Sequence, residues 1–236
     1  VPGTVSGMFY ASEKFGKLDI KTLINPSIEL ARKGFVLSNF QADNLNKYKQ
    51  KFLSNEEAKN IFTRPNGFSE GDILVQTNLS KTLKRIAENG KQEFYSGYTA
   101  NKIANFFQLN GGILSLKDLN QYKIKILKPV CGSYRDYEIC SMAPPSSGGI
   151  ALVQILNILE NFDFEKLNHN SEEYLKILVS AMDYAYKDRA RYLGDPDFFK
   201  VPKDRLISKR YADDIYHQIL EKKIPSKVNI NIVEGE

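Results

Sequence analysis

The sequence has 236 residues, of which 42% are hydrophobic, and this is enough to bury the core of one large domain or two small ones. Its 33 basic and 28 acidic residues give a formal net charge of +5 and are spread along the chain, which argues against nucleic-acid binding. No apolar run approaches the roughly 20 residues of a membrane span, and residues 1–4 lack the pattern of a signal peptide.

The first half of the chain, residues 1–120, is predicted to form a layer of helices. Pro26 is expected to begin one helix, because proline is tolerated at the first helical position. Ser38 and Ser54 are expected to be N-caps, and Ser54 has the spacing of a capping box with Glu57.

Three further helices are predicted before the helical layer ends. One begins near Thr77 and is stopped by Gly90, and another covers 98–109. Ser115 and Asp118 mark the start of a short third helix. The side chains of helix 98–109 that are expected to face inward are Ile103, Phe106 and Phe107.

The hydrophobic period changes in the segment 121–142, which is predicted to form three antiparallel strands. Ile124 and Ile126 alternate with lysines, a pattern typical of a strand with one wet face. The residues that follow are predicted to form a hairpin around a turn at Arg135–Asp136.

The hairpin brings the two cysteines together. A two-residue loop pairs Tyr134 with Tyr137 and therefore Cys131 with Cys140, in a non-hydrogen-bonded position where Cβ atoms lie closest. A cross-strand disulfide is geometrically possible there. Two free thiols on one side of the hairpin are the alternative.

The segment 143–220 is predicted to contain an elbow and packing helices. Pro144 and Pro145 fix φ and remove two donors, so a strand cannot continue, while the Ser-Ser-Gly-Gly that follows can bend and start a helix. The run 150–159 is apolar on nearly every side and is predicted to be packed between two layers.

A long helix is expected after Ser171, which can cap it. Ser208 is expected to start a last helix that reaches about Leu220, and 221–236 is predicted to be a mobile polar tail. The predicted core face of the long helix consists of Leu175, Leu178, Val179, Met182, Ala185, Tyr186 and Arg189.

The residues alone do not identify a catalytic group or a cofactor site. His169 and His217 are predicted to lie on the surface, and no cysteine or carboxylate has the spacing of a metal ligand, so no metal is expected. Asp195 and Asp197 could be read as an acid pair, but an Asx turn around Pro196 explains them better.

Two serines and two arginines could carry chemistry. Ser146 and Ser147 lie in a bend like the elbow of a hydrolase, but the GxSxG pattern is missing and no base is identified, so a structural role is preferred. Arg189 and Arg191 could bind a carboxylate, although an ion pair with a neighbour such as Asp188 is preferred.

Five segments resemble, in the same order, the large subunit of γ-glutamyltranspeptidases, which are N-terminal-nucleophile hydrolases that cleave themselves into two chains. The resemblance covers almost the whole chain. It implies an α+β fold that is part of an αββα sandwich, mostly helical, with a short antiparallel strand set near 122–142. The segments are Val1–Val5, Gly71–Asp72 with Gln76, Gly111–Gly112, Pro144–Gly149 and Tyr192–Phe198.

The resemblance implies that residues 1–236 are a single large-subunit fragment, incomplete without an upstream segment and a small subunit. The nucleophilic threonine is expected directly after Glu236, which would make Glu236 the processing position. Such a threonine uses its own α-amine as the base. The arginine that binds the substrate carboxylate is expected upstream of Val1, so no catalytic or substrate-binding residue is assigned within the chain.

The resemblance further implies γ-glutamyl transfer and hydrolysis, with glutathione and related γ-glutamyl amides as substrates and no cofactor. The partners would be the small-molecule substrate and a small subunit from the same autoprocessed precursor, in an exported heterodimer. This chain alone would be inactive and would expose apolar surface around 150–159. The alternatives are an acylase or poly-γ-glutamate transpeptidase of the same superfamily, or a non-catalytic helical scaffold.

Overall fold

The computed structural model describes residues 1–221. They divide into two compact units, Val1–Lys125 and a second unit that begins at Ile126. Both units are mostly helical, and each has one small antiparallel sheet of two strands among its described residues. None of the described helices combines the length and hydropathy that a membrane span requires.

One hydrophobic cluster of the first unit is formed by Leu37, Ala42, Phe68 and Leu74, and other helices of the unit bury side chains such as Ile86 outside it. Its strands pair with Phe35 opposite Leu74. Its helices and strands are α1 (Thr4–Phe15), α2 (Ile20–Lys33), β1 (Phe35–Val36), α3 (Asn39–Lys47), α4 (Lys49–Phe52), α5 (Glu56–Phe62), β2 (Ile73–Leu74), α6 (Thr77–Asn89), α7 (Gln92–Tyr95), α8 (Tyr98–Leu109) and α9 (Leu116–Gln121).

Helix α2 does not begin at Pro26, so that prediction is wrong. The helix begins after Asp19, whose carboxylate accepts hydrogen bonds from the backbone N–H groups of Lys21 at 2.8 Å and Thr22 at 3.2 Å. Pro26 lies inside the helix. The aspartate satisfies two of the donors that a helix start leaves free, and this cap outweighs the preference of proline for the first turn.

The predicted N-caps are partly confirmed. The N-cap predicted at Ser38 and the helix start predicted at Ser115 are confirmed, and each serine forms a capping box. The box at Ser54 and Glu57 is wrong, because the side chain of Asn55 caps α5 one residue later and the Ser54 hydroxyl donates to a preceding backbone carbonyl. Asparagine is at least as good an N-cap as serine, so the neighbouring residue takes the position.

The bounds of α6 and α8 agree with the sequence, and α6 ends at Gly90 with φ of 72°. The inward orientation predicted for the aromatic residues of α8 is wrong. Phe106 and Phe107 are 51% and 36% exposed, and both face an open cavity described below.

The second unit consists of a hairpin and a small helical assembly. Its core holds two clusters, one around Ile150 and Val153 and the other around Ile158 and Ala181. The elements are β3 (Val130–Tyr134), β4 (Tyr137–Ser141), α10 (Gly148–Leu159), a 3-10 turn (Phe164–Lys166), α11 (Glu172–Tyr192), α12 (Lys203–Leu206) and α13 (Lys209–Glu221).

The hairpin has the predicted register. Tyr134 lies opposite Tyr137, and Cys131 lies opposite Cys140. The two cysteines form a disulfide, with Cα atoms 4.1 Å apart, so the alternative of free thiols does not hold in this structure.

The strand predicted around Ile124 and Ile126 does not form. Ile126 is 70% exposed, and none of the described strands pairs with this segment. A strand needs a neighbouring backbone to accept and donate its hydrogen bonds, and alternation of side chains alone does not provide one.

Helix α10 is largely buried, as its apolar sequence predicts. Ile150 and Ile158 are 0% exposed, while Leu152 is 40% exposed. The prediction that the run 150–159 presents a broad apolar surface is therefore wrong for this chain, because β3, α11 and α13 cover most of the helix.

The predicted core face of α11 is only partly confirmed. Leu175, Val179 and Met182 are 43%, 44% and 40% exposed, whereas the buried positions are Ile177, Ala181, Ala185 and Asp188. The buried face contains two alanines, and small side chains allow α10 to approach closely. Ala185 is common to the predicted and observed faces.

Candidate functional site

The Pro-Pro-Ser-Ser-Gly-Gly segment forms the predicted elbow between β4 and α10. The Pro144–Pro145 peptide bond is cis. The N–H of Ser146 bonds to the carbonyl of Ala143 at 3.2 Å, and the Ser146 hydroxyl accepts the N–H of Gly148 at 3.3 Å. These bonds turn the chain within a few residues, and α10 begins at Gly148.

The elbow is tied to α11 by one side-chain hydrogen bond. Arg189 Nε donates to Ser147 Oγ at 2.8 Å. The two side chains line a shallow cavity of about 290 Å³ together with Pro145, Ala190, Leu193 and Gly194. Among the described residues, neither Arg189 nor Arg191 forms an ion pair with a carboxylate, so the ion pair expected with Asp188 is absent.

The surroundings of the two serines do not favour nucleophilic catalysis. Ser147 accepts from a guanidinium, which stays protonated and cannot take the hydroxyl proton. Ser146 accepts from a backbone N–H. Within the part of the chain that the structure describes, no histidine or carboxylate contacts either hydroxyl, so both serines fit the structural role.

A buried polar network lies next to the elbow helix. The Asp188 carboxylate accepts Gln154 Nε2 at 2.6 Å and the Tyr211 hydroxyl at 2.8 Å, and so joins α11 to α10 and α13. Gln154 is 1% exposed and Asp188 is 9% exposed. The Arg205 guanidinium lies over the Tyr211 ring, 5.0 Å from its centroid. This network is not among the features predicted from sequence, although a glutamine within an apolar run is a signal for it.

The network raises the pKa of Tyr211 from 10.0 to about 12, through burial of the phenol and its hydrogen bond to Asp188. The folded state thus favours the neutral phenol. The stability that this preference contributes is complete below pH 10, and it is lost as the pH rises from 10 towards 12.

We therefore expect Tyr211→Phe to lower the free energy of unfolding by about 1 kcal/mol at pH 8, because one hydrogen bond is lost. The difference in free energy of unfolding between the variant and the unmodified protein should shrink above pH 10, as Tyr211 ionises in the unfolded chain. Denaturant unfolding at a series of pH values measures this difference. Tyr216→Phe on the same helix is the control, because this hydroxyl has no hydrogen-bond partner among the described residues. A difference that stays constant up to pH 11.5 contradicts the prediction.

The two aspartates around Pro196 and the two histidines lie where the sequence predicts. Asp197 N–H donates to Asp195 Oδ1 at 3.0 Å, which confirms the Asx turn. His169 and His217 are both exposed, as predicted. His217 lies 3.7 Å from the carboxylate of Asp213 on the preceding turn of α13.

One group of potential metal ligands occurs among the described residues, formed by Cys131, Glu138 and Cys140. The two sulfur atoms are bonded to each other, so they offer no thiolate, and the group does not fit a metal ion. Glu236 and nearly all of the tail predicted over 221–236 lie outside the described residues.

Comparison with known proteins gives consistent results. The family model described as Gamma-glutamyltranspeptidase matches residues 1–234. The Glutathione hydrolase proenzyme of Escherichia coli K12 is 47% identical over 228 residues, which are 95% of this chain and 39% of that protein. The Acylase ACY 1 proenzyme of Pseudomonas sp. strain V22 is 37% identical over 220 residues, covering 91% of this chain and 38% of that protein.

A solved structure shows the same fold. The crystal structure of Helicobacter pylori γ-glutamyltranspeptidase matches with a TM-score of 0.90 and 41% identity, over 100% of this chain and 70% of that chain. This match confirms the predicted α+β fold of an N-terminal-nucleophile hydrolase. The chain spans about two fifths of the length of the curated relatives that it matches.

Proposed function

Since the chain belongs to the γ-glutamyltranspeptidase family, we propose that the assembled protein transfers and hydrolyses γ-glutamyl groups of glutathione and related amides. The observation that carries the proposal is the family match over residues 1–234. The names of the relatives, which are proenzymes, support a precursor that is cleaved into subunits.

In this proposal the chain is the scaffold of the large subunit, and a threonine at the start of the small subunit is the nucleophile. Its hydroxyl would attack the γ-glutamyl carbonyl while its α-amine takes the proton. The resulting α-ammonium would then give this proton to the leaving amine as the C–N bond breaks, and a γ-glutamyl-threonine ester would remain. Water or an acceptor amine would then release the glutamyl group. A base supplied by the nucleophile itself is consistent with the absence of a histidine beside Ser146 or Ser147 within the described residues.

The chain's own contribution is to hold the elbow and α10 in place. The Arg189 to Ser147 bond fixes the elbow against α11, and the Gln154 to Asp188 bond fixes the helix that follows. The Cys131–Cys140 disulfide supports an oxidising compartment, and we propose that the protein is exported to the periplasm or outside the cell.

The proposal is tested on the product of the complete reading frame. We expect intact mass to show two chains separated after Glu236, and γ-glutamyl-p-nitroanilide to release nitroaniline. A variant in which the expected threonine nucleophile is replaced by alanine is the control, and it should remain one chain without turnover. A well-folded, uncleaved and inactive product of the unmodified gene would instead support the scaffold alternative.

The acylase alternative rests on the 37% identity to the Pseudomonas acylase proenzyme. Acylase activity is distinguished from γ-glutamyl transfer with a second anilide, whose acyl group lacks the α-amino and α-carboxylate groups of glutamate. Faster release of nitroaniline from this neutral acyl anilide than from the γ-glutamyl anilide would favour an acylase.

A further inference from the structure

An open cavity of about 610 Å³ lies in the first unit, and residues of α6 and α8 form most of its lining. This volume is typical of sites for small molecules. One wall is apolar and carries the half-exposed rings of Phe106 and Phe107. Lys81 and Lys102 line the same cavity.

The polar wall of the cavity is held rigidly. Glu93 is 7% exposed, and its carboxylate accepts Arg85 Nε at 2.9 Å and both the N–H and the hydroxyl of Thr99 at 3.2 and 2.9 Å. The Arg85 guanidinium also lies 4.7 Å from the centroid of the Tyr98 ring. The charge of Arg85 is therefore balanced by a buried partner, and its side chain is a fixed part of the wall.

The two lysines differ from Arg85 because no carboxylate neutralises them among the described residues. Lys102 Nζ lies 5.6 Å from the centroid of the Tyr98 ring, and Lys81 has no ion pair within the described chain. Glu57 is the one acidic residue in the described lining. Its carboxylate accepts the side-chain amide of Asn78 and keeps its negative charge, and it forms no ion pair with either lysine among the described residues. By contrast, Lys84 on α6 lies 3.9 Å from Glu88 and does not line the cavity.

We propose that this cavity binds a small amphipathic carboxylate, with its anionic head at Lys81 and Lys102 and its apolar body against Phe106 and Phe107. The two lysines outnumber the single carboxylate of Glu57, so the described lining keeps a net positive charge for the anionic head. The rings supply apolar surface that a bound aromatic or aliphatic body removes from water. Binding at this cavity needs no reaction.

Binding is measured on the complete processed protein by calorimetry, with 4-phenylbutyrate as the probe and its neutral twin, 4-phenylbutanamide, as the comparison. The carboxylate should bind about tenfold more tightly than the amide, a ratio in line with two partly exposed ion pairs. Lys81→Gln combined with Lys102→Gln should remove this preference. Lys84→Gln should leave it unchanged, and Phe106→Ala should weaken both probes to a similar extent.

Turnover of γ-glutamyl-p-nitroanilide and chain cleavage are measured on the same variants and should not change, so failure of this site is distinguishable from failure of the proposed function. The proposal is overturned if the acid and the amide bind equally, or if Lys84→Gln weakens binding as much as the double replacement. It is also overturned if the acid does not bind at millimolar concentration. A protein partner that covers Lys81 would give this result and would likewise overturn the proposal.

Discussion

Replacing Gly149 with alanine should lower the free energy of unfolding by about 3 kcal/mol, because the elbow leaves no room for a side chain at this position. A Cβ atom on Gly149 would lie 2.2 Å from the carbonyl oxygen of Met142. That oxygen belongs to the backbone at the end of the hairpin, so relief requires movement of β4 or of α10. The next residue, Ile150, is 0% exposed in the core, which resists such movement. Denaturant unfolding followed by circular dichroism measures the loss.

Gly148→Ala is the matched control. A Cβ atom on Gly148 would have Ser146 Oγ as its nearest neighbour at 3.5 Å, which is an ordinary contact. Alanine also has a higher helix propensity than glycine, so Gly148→Ala should change stability by no more than about 0.5 kcal/mol or raise it slightly. If the two variants lose the same stability, the contact with the Met142 carbonyl oxygen is not the reason why glycine is needed at position 149.

The features that sequence predicts well are those decided by local chemistry. The hairpin register follows from a two-residue turn at Arg135–Asp136, and the elbow follows from two prolines and the small residues after them. The N-cap at Ser38 and the helix start at Ser115 are likewise confirmed. Each depends on a few neighbouring residues whose geometry does not require knowledge of distant packing.

The features that sequence predicts poorly depend on which helix or strand packs against the segment. On α11, two sets of residues have helical spacing. The prediction chose the set with the larger apolar side chains, which is mostly exposed. The observed face is chosen by contact with α10, where Ala181 and Ala185 allow close approach. The strand expected at Ile124 failed for a similar reason, since no described neighbour provides a pairing edge.

The candidate site also contains one feature that local sequence predicts and one that depends on distant residues. The prediction that Ser146 and Ser147 are structural is supported by their partners, because these follow from the shape of the elbow. The network around Asp188 joins residues far apart in sequence, since Gln154 and Asp188 are 34 positions apart. The glutamine within an apolar run therefore indicates a buried polar contact but not its partner. The role of Glu236 stays a prediction.

Replacing Asp188 with alanine should lower the free energy of unfolding by about 3 kcal/mol. The carboxylate is the acceptor for both Gln154 Nε2 and the Tyr211 hydroxyl, and Gln154 is 1% exposed. Its removal leaves a buried amide donor without a partner and without access to water, and it opens a void between α10, α11 and α13. An unmade hydrogen bond in the interior costs more than the same bond contributes when formed, so the effect should exceed that of Tyr211→Phe.

Asp183→Ala on the same helix separates the loss of the buried acceptor from the loss of a negative charge on α11. Asp183 pairs with Lys187 at 2.6 Å one turn away, but its side chain is 52% exposed, so its removal should cost no more than about 0.5 kcal/mol. Combining Asp188→Ala with Gln154→Leu should recover part of the stability, because the stranded amide is removed with its acceptor. If the double variant is as unstable as the sum of its single replacements, the two side chains act independently and the network does not hold α10 against α11.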